Sequence, residues 1–182
     1  KVLRSIVERG HEVGNHSFHH ESWLKTYSKE KIEAEIEKAE EAILKATGKR
    51  TNMFRGPGFS WSYDLLGVLQ KRNYKFDAST LPTYISPLMR RYYFWKSKLT
   101  KEEKESRKEL FGSFKEGFYP LKPYDWKLGD NQTLLEIPVT TMPFFKIPFH
   151  QSYLLYISGV SVWLMKVYLR FAIFMCRIKK II

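Results

Sequence analysis

The chain is poor in cysteine, because Cys176 is its only one. A single thiol excludes an internal disulfide framework and any zinc site built from several cysteines, although it leaves the redox compartment open. The sequence has no internal repeats or low-complexity stretches. Apolar residues make up 43% of its 182 positions, a share far above that of disordered proteins. The composition therefore predicts a folded protein with a packed core.

Acidic residues are also scarce, since 19 Asp and Glu face 31 Lys and Arg, for a net charge of +12. A basic surface suits nucleic acid, an anionic membrane surface or an anionic polymer, and it equally suits plain solubility. No nucleic-acid-binding motif accompanies the charge. We therefore expect no nucleic-acid partner.

The chain lacks an initiator methionine, and a helix-like pattern begins at residue 2. It stops directly after the basic run at 177–180. We expect the chain to be a piece of a longer protein, truncated at both ends. The missing signal peptide carries no weight, because a missing N-terminus would hide one.

Apolar spacing alternates between helical and extended over the first 80 residues. The predicted order is a helix at 2–9, a strand end at 12–17, a helix from Ser28 to Gly48, a strand at 53–55, a helix after Ser62 and a strand at 74–79. Such alternation predicts an α/β fold with a parallel sheet or barrel.

The alternation stops after residue 80. Residues 81–131 are rich in aromatic and basic side chains, and we interpret them as an insertion with a basic helix near 101–111. A strand follows at 133–139. The apolar stretch at 153–178 predicts one amphipathic helix, in which Lys166 and Arg170 form a polar stripe. It suits a core helix with one wet edge or a helix in a membrane interface, and a bilayer span less well.

Four of the five histidines fall in the stretch GHEVGNHSFHH at residues 10–20. His16 and His20 are four residues apart, a spacing that brings two imidazoles to one side of a turn. Neutral imidazole is a zinc ligand, and two such ligands with a carboxylate would leave a position open for water. A histidine-rich surface loop remains the alternative.

The stretch FRGPGF at 54–59 follows a predicted strand, where α/β proteins collect functional groups. Arg55 could orient a carboxylate through two hydrogen bonds, and the N–H of Gly58 could stabilise an oxyanion. A plain turn with an exposed arginine is the alternative. Glu136 on the later strand could be a ligand or base, but a structural glutamate fits its apolar neighbours better.

Taken in order, these stretches resemble the polysaccharide deacetylases of the NodB-homology type, carbohydrate esterase family four. The H-[S/T]-x-x-H motif of that family is matched by residues 16–20, and its R-x-P motif by residues 55–57. The run LLEIPVTTMPFFKIPFH at 134–150 is similar to the subgroup linked to exopolysaccharide biosynthesis.

This resemblance implies an incomplete (β/α) barrel with a divalent metal, most often zinc, held by His16 and His20. Arg55 would position a catalytic aspartate, and the Gly58 N–H would be the oxyanion donor. The implied reaction is hydrolysis of N-acetyl groups on the amino sugars of a polysaccharide. The implied location is the cell envelope, the periplasm or the outside of the cell.

Two family motifs are missing from the sequence. No Asp-Asp pair occurs, and the late histidine that serves as general acid would follow residue 182. We therefore expect this piece alone to be inactive. The alternative function is a noncatalytic module that binds glycans or a membrane surface, with the membrane contact through 153–178. In that case Trp95 and Trp126 would stack on sugars, unless they build a small core of the insertion.

Overall fold

A computed structural model describes residues 2–88, 91, 95, 100, 113–129, 131–149 and 151–181. The basic helix predicted at 101–111 lies outside these residues. The chain forms two compact units. The first contains Lys1–Thr80 and Pro123–Ile137, and the second contains Leu81–Lys122 and Pro138–Ile182.

The first unit is an α/β layer around a four-stranded sheet. Its elements are α1 (Val2–Glu8), a 3-10 turn (Leu24–Thr26), α2 (Lys29–Thr47), β1 (Met53–Phe54), a 3-10 turn (Pro57–Phe59), α3 (Tyr63–Lys71), β2 (Phe76–Asp77), β3 (Tyr124–Lys127) and β4 (Thr133–Glu136). The sheet order is β1-β2-β4-β3. Strands β1, β2 and β4 run parallel to one another, and β3 pairs antiparallel with β4 at the edge of the sheet. The α/β class is confirmed, whereas the antiparallel edge strand lies in the range predicted as an insertion.

The helix ends fall where the sequence predicts them. The Ser28 side chain accepts the N–H of Lys31 and starts α2, and Gly48 ends that helix in the left-handed conformation. The Ser62 side chain accepts the N–H of Leu65 and starts α3. The core of this unit lies between the two helices and the sheet. Its fully buried side chains include Ile32, Ile36, Phe54, Leu65, Leu66 and Leu69.

Among its described elements, the second unit includes a 3-10 turn (Phe114–Phe118) and the helices α4 (Gln151–Val160) and α5 (Val162–Ile178). The sequence predicts a single helix at 153–178, and the structure divides it at Ser161. This residue is extended, and its hydroxyl accepts the N–H of Leu164, so it caps a new helix. None of the described helices combines the length and the hydropathy that a bilayer crossing demands.

Candidate metal and catalytic site

The histidine-bearing turn begins beside β1. The N–H of Asn15 donates to the carbonyl of Met53, and the N–H of Arg55 donates to the carbonyl of Asn15. These bonds form a short parallel bridge between Asn15 and Phe54. Because the chain at Asn15 runs parallel to β1, His16 and Arg55 leave the sheet at the same carboxyl edge. Functional groups collect at this edge in α/β proteins.

The turn at residues 16–20 is held by its own polar side chains. The side-chain oxygen of Asn15 accepts the N–H of Ser17, and the Ser17 hydroxyl accepts the N–H of His20. Ser17 and His20 both have φ of 58°. Left-handed conformations at residues other than glycine are uncommon and need such support.

Asn15 is buried and ties the turn to its surroundings. Its amide donates to the carbonyl of Ile36 on α2 and to the hydroxyl of Tyr74. With the bond to Ser17, both ends of the side-chain amide are satisfied. A buried amide with its partners in place fixes one conformation of the chain around it.

Glu35 on α2 holds the other side of the turn. Its carboxylate accepts the backbone N–H groups of Phe18 and His19 and also contacts the His19 ring. Burial acts to raise the pKa of Glu35, but the hydrogen bonds from His19 and Phe18 outweigh it and leave this pKa lowered. The ionised carboxylate is therefore the form that organises the turn, and His19 is occupied in this support.

The structure brings His16 and His20 together. Their ring centroids are 4.8 Å apart, with the ring planes inclined at 68°. The Nδ1 atom of His16 lies 2.5 Å from the carbonyl oxygen of Arg55. Since a carbonyl can only accept, Nδ1 is the donor, and in the neutral imidazole Nε2 then has its lone pair available for another partner. Metal-bound histidines show this arrangement, in which the second ring nitrogen donates to an oxygen.

The two imidazoles therefore fit part of a metal site. Both are exposed, so a cation and water can reach them. Among the residues that the structure describes, no group of three or more His, Cys, Asp or Glu side chains could hold a metal. The described residues therefore offer His16 and His20 as two candidate ligands, and a complete site would need a third.

The arginine-bearing turn packs beside the histidine turn. The N–H of Gly56 donates to the Ser79 hydroxyl at 2.7 Å, and Nε of Arg55 donates to the carbonyl of Ala78 at 3.1 Å. Gly58 has φ of +59°, and a Cβ placed on it would lie 2.8 Å from the Cβ of Ser22. The two motifs are in direct contact through the His16 ring and the Arg55 carbonyl, and Gly58 packs against Ser22, just beyond the histidine turn.

A buried carboxyl pair lies behind this turn. Asp77 and Glu136 are register partners on β2 and β4, and both are fully buried. Asp77 accepts the hydroxyl of Ser79, while Glu136 accepts the Thr80 N–H and hydroxyl and the Trp126 indole N–H. Glu136 is therefore structural, as its apolar neighbours predict.

The pKa of Asp77 lies well above its ordinary value. Burial disfavours the carboxylate, and the neighbouring charge of Glu136 disfavours it further. Burial and the facing Glu136 therefore favour the neutral form of the Asp77 carboxyl. The Ser79 hydroxyl donates to Asp77 and accepts the N–H of Gly56, so Asp77 is linked to the arginine-bearing turn through Ser79. A polar residue at the end of a strand, such as Asp77, is the signal by which this role could be found from the sequence.

Trp126 is buried and has no surface for a sugar. It stacks on Trp61 with centroids 4.7 Å apart, and its indole N–H bonds to Glu136. Of the two alternatives, sugar stacking or a core position, the structure favours the core position. The core concerned is that of the first unit and not a small core of the insertion.

The first part of the chain is similar in sequence to known proteins. The sequence model of the family described as polysaccharide deacetylase matches residues 1–76. The chain is 35% identical, over 57 residues, to the peptidoglycan-N-acetylmuramic acid deacetylase PdaA of Bacillus subtilis. This match covers 31% of the chain and 21% of the relative, so the chain spans about a fifth of that protein.

The fold is shared with a solved structure from Mycobacterium smegmatis that is assigned to the polysaccharide deacetylases. The TM-score is 0.51 at 20% identity, and the match covers 76% of this chain and 35% of that one. At this identity the likeness concerns the fold alone, and it agrees with the α/β architecture described above. The family model thus shows that residues 1–76 of the chain are similar to the polysaccharide deacetylases.

Proposed function

We propose that this chain is part of a metal-dependent hydrolase that removes N-acetyl groups from the amino sugars of a polysaccharide. The observation that carries the proposal is the His16–His20 pair, with His16 oriented by the Arg55 carbonyl. The matched family and the deacetylase named as a relative support the same reaction class.

His16 and His20 would be the metal ligands, and zinc suits two imidazoles. When bound, a divalent cation polarises an amide carbonyl and lowers the pKa of water. The chain's own contribution is orientation. The Arg55 carbonyl holds the His16 ring, while Asn15 and Glu35 hold the backbone that carries both histidines.

Arg55 and Gly58 are the proposed catalytic residues. The guanidinium of Arg55 is exposed at the carboxyl edge of the sheet, and it can bind a carboxylate through two hydrogen bonds. Gly58 is exposed in the same turn, and its N–H is the proposed oxyanion donor. The proposed substrate is an N-acetylated polysaccharide of the cell envelope, which places the enzyme outside the cytoplasm.

Zinc titration of the chain tests the proposed ligands. We expect His16→Ala to weaken zinc binding by about tenfold or more, because one of two converging imidazoles is lost. His11→Ala is the matched control, since His11 is an exposed histidine of the same stretch outside the pair. Calorimetry checks both variants. Equal zinc affinity in the wild type and His16→Ala would contradict the assignment.

Acetate release tests the reaction. The complete gene product should release acetate from N-acetylated amino-sugar oligomers and leave small linear amides intact. Loss of this release in His16→Ala, but not in His11→Ala, is the expected result. Hydrolysis of the small amides without acetate release from the oligomers would contradict a polysaccharide substrate and indicate a small amide instead.

A further inference from the structure

One face of α5 presents apolar side chains to solvent. Leu164, Val167, Phe171, Phe174 and Ile178 are between 46% and 60% exposed. Their spacing of three and four residues places them on a single stripe along the helix. The opposite face is the packed one, because Ala172 and Cys176 are fully buried there. The exposed apolar stripe is therefore separate from the face by which this helix packs against its own unit.

Cations border this stripe, and no acidic residue occurs near it in the sequence. Residues 137–182 contain no Asp or Glu at all. The same segment has six basic residues, which are Lys146, Lys166, Arg170, Arg177, Lys179 and Lys180. At 100° per residue, Lys166, Arg170 and Arg177 form a second exposed stripe beside the apolar one.

Further exposed aromatic and apolar groups lie at both ends of α5. Trp163 near its start is 70% exposed, and Tyr156 on α4 is 84% exposed. At the other end, Nζ of Lys179 lies 4.6 Å from the centroid of the exposed Phe144 ring. The apolar surface therefore continues beyond the helix, with cations along its border.

We propose that the apolar stripe of α5 binds the surface of a membrane that carries anionic lipids, with the helix lying in the plane of the interface. An apolar face, a cationic border and an interfacial tryptophan are the features of helices that lie in a headgroup layer. Lipid phosphates complement a segment with six cations and no carboxylate. A complementary protein helix would equally suit the apolar spacing, but it gives no reason for the uniform charge.

Membrane binding goes beyond the proposed deacetylation, since it concerns the second unit and needs no metal. It would hold the enzyme at the surface where envelope polysaccharides are made or stored.

Vesicle co-sedimentation of the chain tests this inference. The probes are phosphatidylcholine vesicles with and without phosphatidylglycerol, at low and at high salt. We expect binding only with phosphatidylglycerol, and weaker binding at high salt because surface charges are screened. The double variant Lys166→Glu/Arg170→Glu should bind at least about tenfold more weakly.

Two further variants separate charge from burial. Lys38→Glu/Lys45→Glu on α2 makes the same change in net charge at exposed positions of the first unit, and it should bind almost as the wild type does. Phe171→Ser/Phe174→Ser removes apolar area and keeps the charge, so it should also bind more weakly. Circular dichroism confirms that each variant is folded.

Three results would overturn the inference. Equal losses in the α2 and α5 charge variants would mean that binding follows net charge alone. Unchanged binding in Phe171→Ser/Phe174→Ser would mean that the apolar stripe is not buried. Absence of vesicle binding by the wild type would also overturn it. If the wild type then self-associates and Phe171→Ser/Phe174→Ser does not, the stripe binds a second copy of the chain.

Discussion

Gly56→Ala is expected to destabilise the first unit by about 3 kcal/mol or more and to displace the arginine-bearing turn. A Cβ at Gly56 would lie 1.9 Å from the carbonyl oxygen of Ser60, which is a backbone atom and cannot rotate away. The N–H of Gly56 also donates to the Ser79 hydroxyl, so displacement of the turn breaks its link to the segment that follows β2. Chemical denaturation measures the loss, and zinc titration shows whether the His16 site is lost with it.

Gly67→Ala is the matched control for this change. Gly67 lies within α3, and a Cβ there would meet nothing within 4 Å. The same substitution should therefore raise the free energy of unfolding by about 0.5–1 kcal/mol, because alanine favours helix over glycine. Similar effects of the two substitutions would show that the close contact at Gly56 does not constrain the turn.

Asp77→Asn is expected to stabilise the protein increasingly as the pH rises. The pKa of Asp77 is raised in the folded state, so the folded protein holds this proton more tightly than the unfolded chain does. Stability therefore falls as the pH increases above about 4, where an unfolded aspartate ionises, and it levels off above the raised pKa. Asparagine never ionises, and it can still accept the Ser79 hydroxyl, so it removes this fall.

Denaturation of both proteins between acidic and mildly alkaline pH checks the sign. The advantage of the variant should be small near pH 4 and grow steadily towards neutral pH. Asp125→Asn on the exposed face of β3 is the control, and it should leave the shape of the profile nearly unchanged. Parallel curves for the wild type and Asp77→Asn would show that burial beside Glu136 does not govern this carboxyl.

The sequence predicted those parts of the fold that local chemistry decides. Helix ends at Ser28, Gly48 and Ser62 follow from caps and a left-handed glycine, so they could be located without coordinates. The break at Ser161 was missed, because continuous apolarity on both sides concealed a cap. Strand β3 was missed too, since its pairing with β4 depends on contacts that aromatic composition does not reveal.

Of the residues that form the candidate site, only the exposed ones could be predicted from the sequence. His16, His20 and Arg55 stand in short motifs, and their spacing pointed to one edge of the sheet. Asn15 and Glu35 were missed, because nothing local shows that an amide or a carboxylate will bond to a turn across the fold. Their roles require tertiary structure, as does the raised pKa of Asp77.

The central claim is that His16 and His20 form one cation site whose geometry is set by the Arg55 carbonyl. Nitrogen-15 NMR of the histidine rings tests it most directly. Without zinc, His16 should carry its proton on Nδ1, and added zinc should shift Nε2 of His16 together with a ring nitrogen of His20 at the same metal concentration. A proton on Nε2 of His16, or zinc shifts in only one of the two rings, would contradict the account.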